Sequence, residues 1–235
     1  MKIVCLANSF RVGGRCLGGV LLDQNNNPVF QNGRPKWIRP VCLTDHEEVP
    51  THLVSHISIL DIIEFQNIRA IIHGHQTENV IFETNSLRVV GRFPYNGLEA
   101  LTENGRFSLV FGNRGAAVPA DKAGDFNYSL ILLSLTQFET NERVFEEREY
   151  SQKKLSFNFN NHTYNLPITD PEFLHQYGLN PAILEGYTNI YVTLSLAEAH
   201  EGWLYKLVAG IIYQAAQAPR VVRPAFDEDD IDLPF

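Results

Sequence analysis

The stretch NSFRVGGR, residues 8–15, combines two arginines, short polar side chains and a glycine pair. Gly13 and Gly14 allow the backbone to approach a ligand closely or to take a positive φ. Guanidinium forks and backbone N–H groups are groups that hold phosphate in proteins. The predicted nucleic-acid-binding loop consists of Asn8, Ser9, Arg11, Gly13, Gly14 and Arg15. The alternative is a tight barrel corner whose arginines face water. Neither GxxxxGK[ST] nor GxGxxG is present, so the loop matches no standard nucleotide-binding motif.

A second candidate site lies in KWIRPV, residues 36–41. On a β-strand the side chains of Trp37 and Arg39 point to the same face. An indole beside a guanidinium can stack on a nucleic-acid base while the cation meets its phosphate. We therefore predict that Lys36, Trp37 and Arg39 contact nucleic acid, with Lys206 of the later stretch YKLVAGII as a further cation. The alternative is that Trp37 belongs to the core and Arg39 only flanks it.

The charge of the chain is unevenly distributed. The net charge is −8, but residues 1–40 carry Lys2, Arg11, Arg15, Arg34, Lys36 and Arg39 against Asp23 alone, a net of +5. An acidic total therefore does not exclude a basic surface in the first part of the chain, because the local patch determines the field that a ligand meets.

The histidines and cysteines do not match known metal-binding spacings. His52 and His56 are four residues apart, and His73 and His75 form an HGH pair, but CxxC, HExxH and zinc-finger patterns are missing. No GxSxG motif or carboxylate pair indicates catalysis. We expect no metal, no cofactor and no enzymatic activity. The alternative is an enzyme, such as a metal-dependent hydrolase, built from side chains that are distant in the sequence.

The pattern of short apolar stretches predicts a mostly β chain. Two successive β-rich halves, each with about five strands and one short helix, fit two OB-type barrels, and a single β-sandwich is the alternative. In the second half, an Asn-Asn pair predicts a hairpin turn, and Asp170, Pro171 and Gly178 predict the cap, first residue and end of a helix. We predict a first barrel in residues 1–111, a poorly structured connection in 112–126, a second barrel in 127–216, and a linker with a disordered acidic tail in 217–235.

The composition also indicates where the protein works. No apolar run is long enough to cross a bilayer, and the N-terminal residues do not form a signal peptide. Three cysteines without paired spacing favour reduced thiols. We therefore expect a cytoplasmic protein that does not act at a membrane.

The last residues, DEDDIDLPF, place five carboxylates before an apolar end. A segment of this composition cannot bury enough apolar surface to fold alone. Its aromatic end can still anchor in a pocket of another protein. The predicted partner-binding residues are Asp229, Asp230, Asp232, Leu233, Pro234 and Phe235.

Two resemblances to known families support this interpretation. The opening MKIVCLANSFRVGGRCLGG, together with WIRPV and YKLVAGII, resembles the dual OB-containing domain family of bacterial conflict systems across most of residues 1–213. That resemblance implies two OB folds and a nucleic-acid or nucleotide role, without a proven catalytic site. The tail resembles the acidic tip of bacterial single-stranded-DNA-binding proteins, which docks on replication and repair proteins, although Asp232 divides the usual Ile/Leu-Pro-Phe end.

The features together predict a protein that holds single-stranded DNA through its barrels and recruits replication or repair proteins through its tail. RNA is an alternative ligand. A nucleotide- or RNA-sensing module of a bacterial antiphage defence system, with the glycine-rich loop on a phosphate, is the alternative function. Bacterial single-strand binders often assemble four barrels. A homodimer of this two-barrel chain would also contain four barrels, so a homodimer is the expected assembly.

Overall fold

The computed structural model describes residues 1–72, 74–145 and 150–214, without the side chains of residues 145 and 150. The predicted tail and its six partner-binding residues lie outside the described residues. The strands of the first half are β1 (Lys2–Arg11), β2 (Gly14–Leu22), β3 (Phe30–Gln31), β4 (Arg34–Pro35), β5 (Trp37–Val41), β6 (Asp61–Glu64), β7 (Asn67–Ala70), β8 (Asn79–Phe82) and β9 (Arg88–Arg92). Those of the second half are β10 (Ala117–Pro119), β11 (Leu130–Leu135), β12 (Phe138–Phe145), β13 (Tyr150–Phe159), β14 (His162–Pro167), β15 (Ile190–His200) and β16 (Trp203–Ile212).

The helices are short. The α-helices are α1 (Thr51–Val54) and α2 (Pro171–Leu179). Short 3-10 helices cover Thr84–Ser86, Tyr95–Gly97, Glu99–Leu101, Val110–Gly112 and Ala120–Asp125. No helix in the described part of the chain is both long and apolar enough to span a membrane.

The first barrel is a five-strand Greek key in which two of the strands are bent. β1 pairs with β2, β2 with β5, and β5 runs parallel to β8. β6 and β7 form one bent strand that pairs with β1 at one end and with β8 at the other, while β9 continues β8 and pairs with β6. Helix α1 lies between the third and fourth of these strands. This is the arrangement of an OB fold.

The second barrel repeats the same topology. β11 and β12 form the bent first strand, β13 and β14 follow antiparallel, and α2 precedes β15 and β16. β15 pairs with β11 and with β16. A parallel bridge between Ile168, just after β14, and Val208 of β16 closes the barrel. The prediction of a mostly β chain with two OB-like barrels is therefore confirmed, and the single β-sandwich is excluded. The division at residues 111 and 127 stays a prediction.

Several local predictions are confirmed and two are wrong. Asn160 and Asn161 form the β13–β14 turn with φ of 50° and 64°, and the Asp170 carboxylate caps α2. However, Gly178 lies inside α2, which ends at Leu179. The connection 112–126, predicted to be poorly structured, contains β10, because its residues pair with the start of β16 and extend the second barrel.

The barrels pack against each other through strands that are buried on both faces. Along β1, Ile3 and Cys5 point into the core of the first barrel. Val4 and Leu6 point the other way, into a cluster that they share with Leu130 and other residues of the second barrel. This double burial explains why β1 is a continuous apolar run rather than an alternating one.

The backbones of the two barrels come close where β1 crosses β16. A Cβ atom on Gly210 would lie 2.4 Å from the carbonyl oxygen of Leu6, so only glycine fits there. The Phe10 N–H donates to the Thr169 carbonyl oxygen at 2.8 Å. The two barrels are thus joined by main-chain packing as well as by side chains.

Candidate nucleic-acid interface

The predicted stacking platform lies between the two barrels. Trp37 is 5% exposed, and its Nε1–H donates to Glu103 Oε2 at 3.1 Å. Arg39 is 2% exposed, and its guanidinium donates to Ser129 Oγ at 2.7 Å and to Cys16 Sγ at 2.9 Å. Both side chains leave β5 toward the second barrel, which covers them. In this structure the Trp37 indole does not offer a face to a base, in contrast to the expectation from the sequence.

Arg39 belongs to a buried network that ties the barrels together. The Glu78 carboxylate accepts the N–H of Ser129 at 2.6 Å and the Ser129 hydroxyl at 3.1 Å. The backbone N–H of Arg39 donates to the backbone carbonyl oxygen of Glu78 at 2.9 Å, and its guanidinium bonds to the same Ser129 hydroxyl. Because charge-assisted bonds inside a protein are strong and costly to break, this network fixes the loop before β8 against β11.

The polar residues at the end of β1 also have partners within the fold. The Asn8 side-chain N–H groups donate to the carbonyl oxygens of Val54 and Ile57, both at 2.9 Å, and so hold the end of α1. The Arg11 guanidinium forms an ion pair with Glu198 at 2.5 Å. Asn8 therefore positions α1, and Arg11 links the first barrel to β15 of the second.

The glycine pair forms a tight barrel corner. Gly13 has a φ of 78°, and a Cβ atom there would lie 3.2 Å from Glu48 Oε1. A Cβ atom on Gly14 would lie 2.6 Å from the carbonyl oxygen of Val49. Ser9 is 3% exposed. A carboxylate beside the turn disfavours a phosphate at this position, so the geometry favours a barrel corner over the phosphate loop. The arginines of this corner do not face water, however, because Arg11 pairs with Glu198 and Arg15 is buried.

Arg15 and Lys206 are also buried. Arg15 is 4% exposed, and its guanidinium lies 4.3 Å from the centre of the Phe10 ring. The Lys206 ammonium donates to the carbonyl oxygens of Val110 at 2.6 Å and Asn113 at 2.9 Å. Burial lowers the pKa of Lys206 to about 7. These two side chains are held in the interior and do not form a basic surface.

The positive charge of residues 1–40 is therefore dispersed. Arg11 pairs with Glu198, and Arg34 pairs with the buried Glu103 at 2.7 Å. Lys36 is half-buried. The neutralising carboxylates lie far along the chain, and for this reason a local charge count did not predict the local surface.

A different surface of the second barrel is open and polar. Along β13, Leu155, Phe157 and Phe159 are buried in the barrel, so the alternate residues between them face outward. Residues paired across the strands share this outward face. The open face, as we call it, consists of Glu139, Asn141, Arg143, Lys154, Ser156, Asn158, Thr163 and Asn165.

Side-chain amides of the open face bond to one another across the strands. The Asn141 amide donates to Asn165 Oδ1 at 3.2 Å, and the Thr163 hydroxyl donates to Asn158 Oδ1 at 2.7 Å. The Asn158 amide donates to Gln137 Oε1 at 2.8 Å. These bonds hold the amides in a row along the sheet and present their donors and acceptors in fixed positions.

Two cations lie close together on the open face. Burial lowers the pKa of the Lys154 ammonium, and the neighbouring positive charge of Arg143 lowers it further. Arg143 is exposed and pairs with Gln152, whereas Lys154 pairs with Asn141, so the two cations are diagonal neighbours across β12 and β13. The open face thus combines two neighbouring cationic side chains with a row of hydrogen-bonding amides.

The open face corresponds to the usual ligand surface of OB folds. In such barrels the face of the second and third strands binds oligonucleotides and oligosaccharides. In the first barrel that face, formed by β2 and β5, is covered by the second barrel: Gly18 of β2 packs against Leu130. In the second barrel the equivalent face, formed by β13 and β14, is open.

The sequence contained a signal for the open face. The alternation in KKLSFNFNNHTYN predicts a hairpin, and the outward positions of that hairpin hold Lys154, Ser156 and Asn158. Reading the outward half of the alternation would have identified them. Arg143 had no comparable signal, because its place beside Lys154 depends on the register of β12.

Among the described residues, no group of three or more His, Cys, Asp or Glu side chains is arranged to hold a metal ion. Cys5, Cys16 and Cys42 are free thiols.

The family model of the dual OB-containing domain matches residues 1–211. The chain belongs to the dual OB-containing domain family. The two Greek-key barrels described above are the OB folds of this dual OB domain. No curated protein is similar enough to match this member of the family.

Solved structures resemble the dual OB domain only distantly. One, of a murine DNA-binding protein bound with double-stranded DNA, shares 6% identity over 91% of this chain and 98% of that chain, with a TM-score of 0.32. Another, described as the molecular basis for abrogation of activation of pro-inflammatory cytokines, shares 8% identity over 90% of each chain, with a TM-score of 0.33.

Proposed function

We propose that this dual OB protein binds single-stranded DNA on the open face of its second barrel. The observation that carries the proposal is the exposure of the β13–β14 face, with Lys154 and Arg143 beside a row of amides. This is the surface through which OB folds bind oligonucleotides. The first barrel supports the second, since its equivalent face is used for packing.

Each group of the open face has a role in this proposal. Lys154 and Arg143 bind the phosphates of the strand. Contacts between protein cations and the nucleic-acid backbone supply a large share of the affinity for single strands. Asn158 and Asn165 exchange hydrogen bonds with the Watson–Crick edges of bases. Only an unpaired strand exposes these edges. The preference for single strands follows from this second contribution.

A titration of labelled oligonucleotides tests the proposal. A strand of about 15 nucleotides covers one OB site, since such sites span roughly 4 to 16 nucleotides. The expected result is tighter binding of single-stranded DNA than of the same sequence as duplex. Single-stranded RNA, titrated in parallel, decides between DNA and RNA as the preferred ligand. Equal affinity for duplex, or no binding at low salt, would refute the proposal.

We further propose that the acidic tip, residues 227–235, recruits replication or repair proteins to the bound strand. The support is its sequence: Pro234 and Phe235 form an apolar end, and Asp229, Asp230 and Asp232 precede it. The apolar end supplies the anchor, and the carboxylates speed the encounter with a basic partner surface.

Capture of partners from a lysate of a bacterial host tests the tip. The full chain should retain replication or repair proteins, and Phe235→Ala should lose most of them while binding oligonucleotides as before. If the full chain and a chain lacking residues 227–235 capture the same proteins, the tip serves only solubility.

A further inference from the structure

The exposed tryptophan of this protein is Trp203, which is 46% exposed, whereas Trp37 is buried. Trp203 is the first residue of β16 and follows the turn at Glu201 and Gly202. In the second barrel this turn joins the fourth and fifth strands, and the loop at that place contributes to ligand binding in OB folds. An indole half in water at such a loop is a candidate stacking surface.

The position of Trp203 is fixed by the backbone around it. Trp203 pairs with His200 of β15 on one side and with Pro119 of β10 on the other. The Ala120 N–H donates to the Gly202 carbonyl oxygen at 2.9 Å and holds the turn itself. Because this backbone is held from both sides, binding at the indole does not also have to order the main chain.

A second aromatic residue lies on the same side of the strand. Tyr205 is two residues further along β16, so its side chain shares a face with that of Trp203, and it is half-buried. Together the two rings form a short aromatic surface along the outer face of β16. Aromatic surfaces of this kind stack on bases without regard to sequence, because every base has a π-face.

One carboxylate close to this aromatic surface is already paired. Glu198 lies in the bulge of β15 opposite Tyr205, and its carboxylate forms the ion pair with Arg11 at 2.5 Å. A base that stacks on Trp203 gains affinity from contact with the ring itself. Such a contribution should not depend on salt, whereas phosphate contacts depend on it strongly.

We propose that Trp203 stacks on a base of the single strand that the protein binds, and that it is the base-stacking residue that Trp37 was expected to be. This inference rests on the proposed function, since it names a further contact of the same ligand. Stacking by one aromatic side chain corresponds to about fivefold to 150-fold in affinity.

Fluorescence of Trp203 gives a direct test. The chain contains two tryptophans, so Trp37→Phe leaves Trp203 as the reporter. Unlabelled single-stranded DNA should quench this emission as it binds. If Trp37→Phe does not fold, acrylamide quenching of the wild-type protein replaces it, because acrylamide quenches the exposed indole of Trp203. Bound single-stranded DNA should reduce this quenching.

Affinity measurements complete the test. Trp203→Ala should weaken oligonucleotide binding about fivefold or more, with an unchanged slope of log K against log salt, while Trp203→Phe should retain most of the affinity. Phe30→Ala is the matched control, because Phe30 is an exposed aromatic residue of the first half, 49% exposed, and should have no effect.

The outcomes separate this inference from the function on which it rests. If labelled DNA binds but Trp203 emission and the affinity of Trp203→Ala do not change, the inference is wrong and the function stands. A reduced salt slope in Trp203→Ala would also overturn it, since that result indicates a charge contact. If no oligonucleotide binds, the proposed function itself fails.

Discussion

The double substitution Arg143→Ala and Lys154→Ala tests the open face most directly. Both side chains point outward from neighbouring strands, so their removal leaves the barrel core unchanged. For single strands, each phosphate contact contributes about −0.7 to the slope of log K against log salt. Loss of two contacts should therefore make the slope less steep by about 1.4. Between 50 and 200 mM salt, the wild type should lose about sevenfold more affinity than the variant.

Fluorescence anisotropy of a labelled oligonucleotide at several salt concentrations measures both quantities. The matched control is Arg69→Ala with Arg88→Ala, which removes two exposed arginines from the first barrel. The control should keep the wild-type slope. If the control and the open-face variant reduce the slope equally, the protein binds DNA through its general charge, and the assignment of the open face is refuted.

Three further predictions concern stability. Burial raises the pKa of Asp170 to about 7 in the folded protein, above its value in the unfolded chain. The free energy of unfolding should therefore fall by up to about 4 kcal/mol as pH rises from 4 to 7. Urea denaturation of Asp170→Asn should show a flatter pH dependence over that range. Gly210→Ala places a methyl group against Leu6 and should lower the free energy of unfolding by about 1 to 3 kcal/mol or more, measured by urea denaturation. Trp37→Phe removes the hydrogen bond to Glu103 and should lower that free energy by about 1 to 3 kcal/mol, with unchanged oligonucleotide affinity by anisotropy.

The fold was predictable because its signals are local. The alternation of apolar and polar residues on both sides of Asn160 and Asn161 predicts a hairpin independently of the rest of the chain. Asp170 before Pro171 predicts a helix start in the same way. The end of α2 at Leu179 was harder, since Gly178 points equally to a helix stop or to a tolerated interior glycine.

The site was less predictable because it depends on contacts between distant residues. Trp37 and Arg39 share a face, but the sequence did not show that the second barrel covers that face. In the same way, the carboxylates of Glu103 and Glu198 neutralise arginines that a count over residues 1–40 leaves unpaired. A strand pattern shows which residues lie together, and only the packing of the barrels shows which faces remain open.

The packing of the barrels also bears on how such a protein covers a strand. Two OB folds in one chain suggest two binding faces, yet the β2–β5 face of the first barrel is buried against Leu130 and its neighbours. A strand on the proposed site therefore meets the β13–β14 face, and Trp203 extends the contact from the same barrel. Coverage of a long single strand then requires many copies of the chain side by side, each contributing its second barrel. When a long single strand is titrated with the protein, saturation should accordingly come at about 4 to 16 nucleotides per chain, the site size of one OB fold, rather than at twice that number.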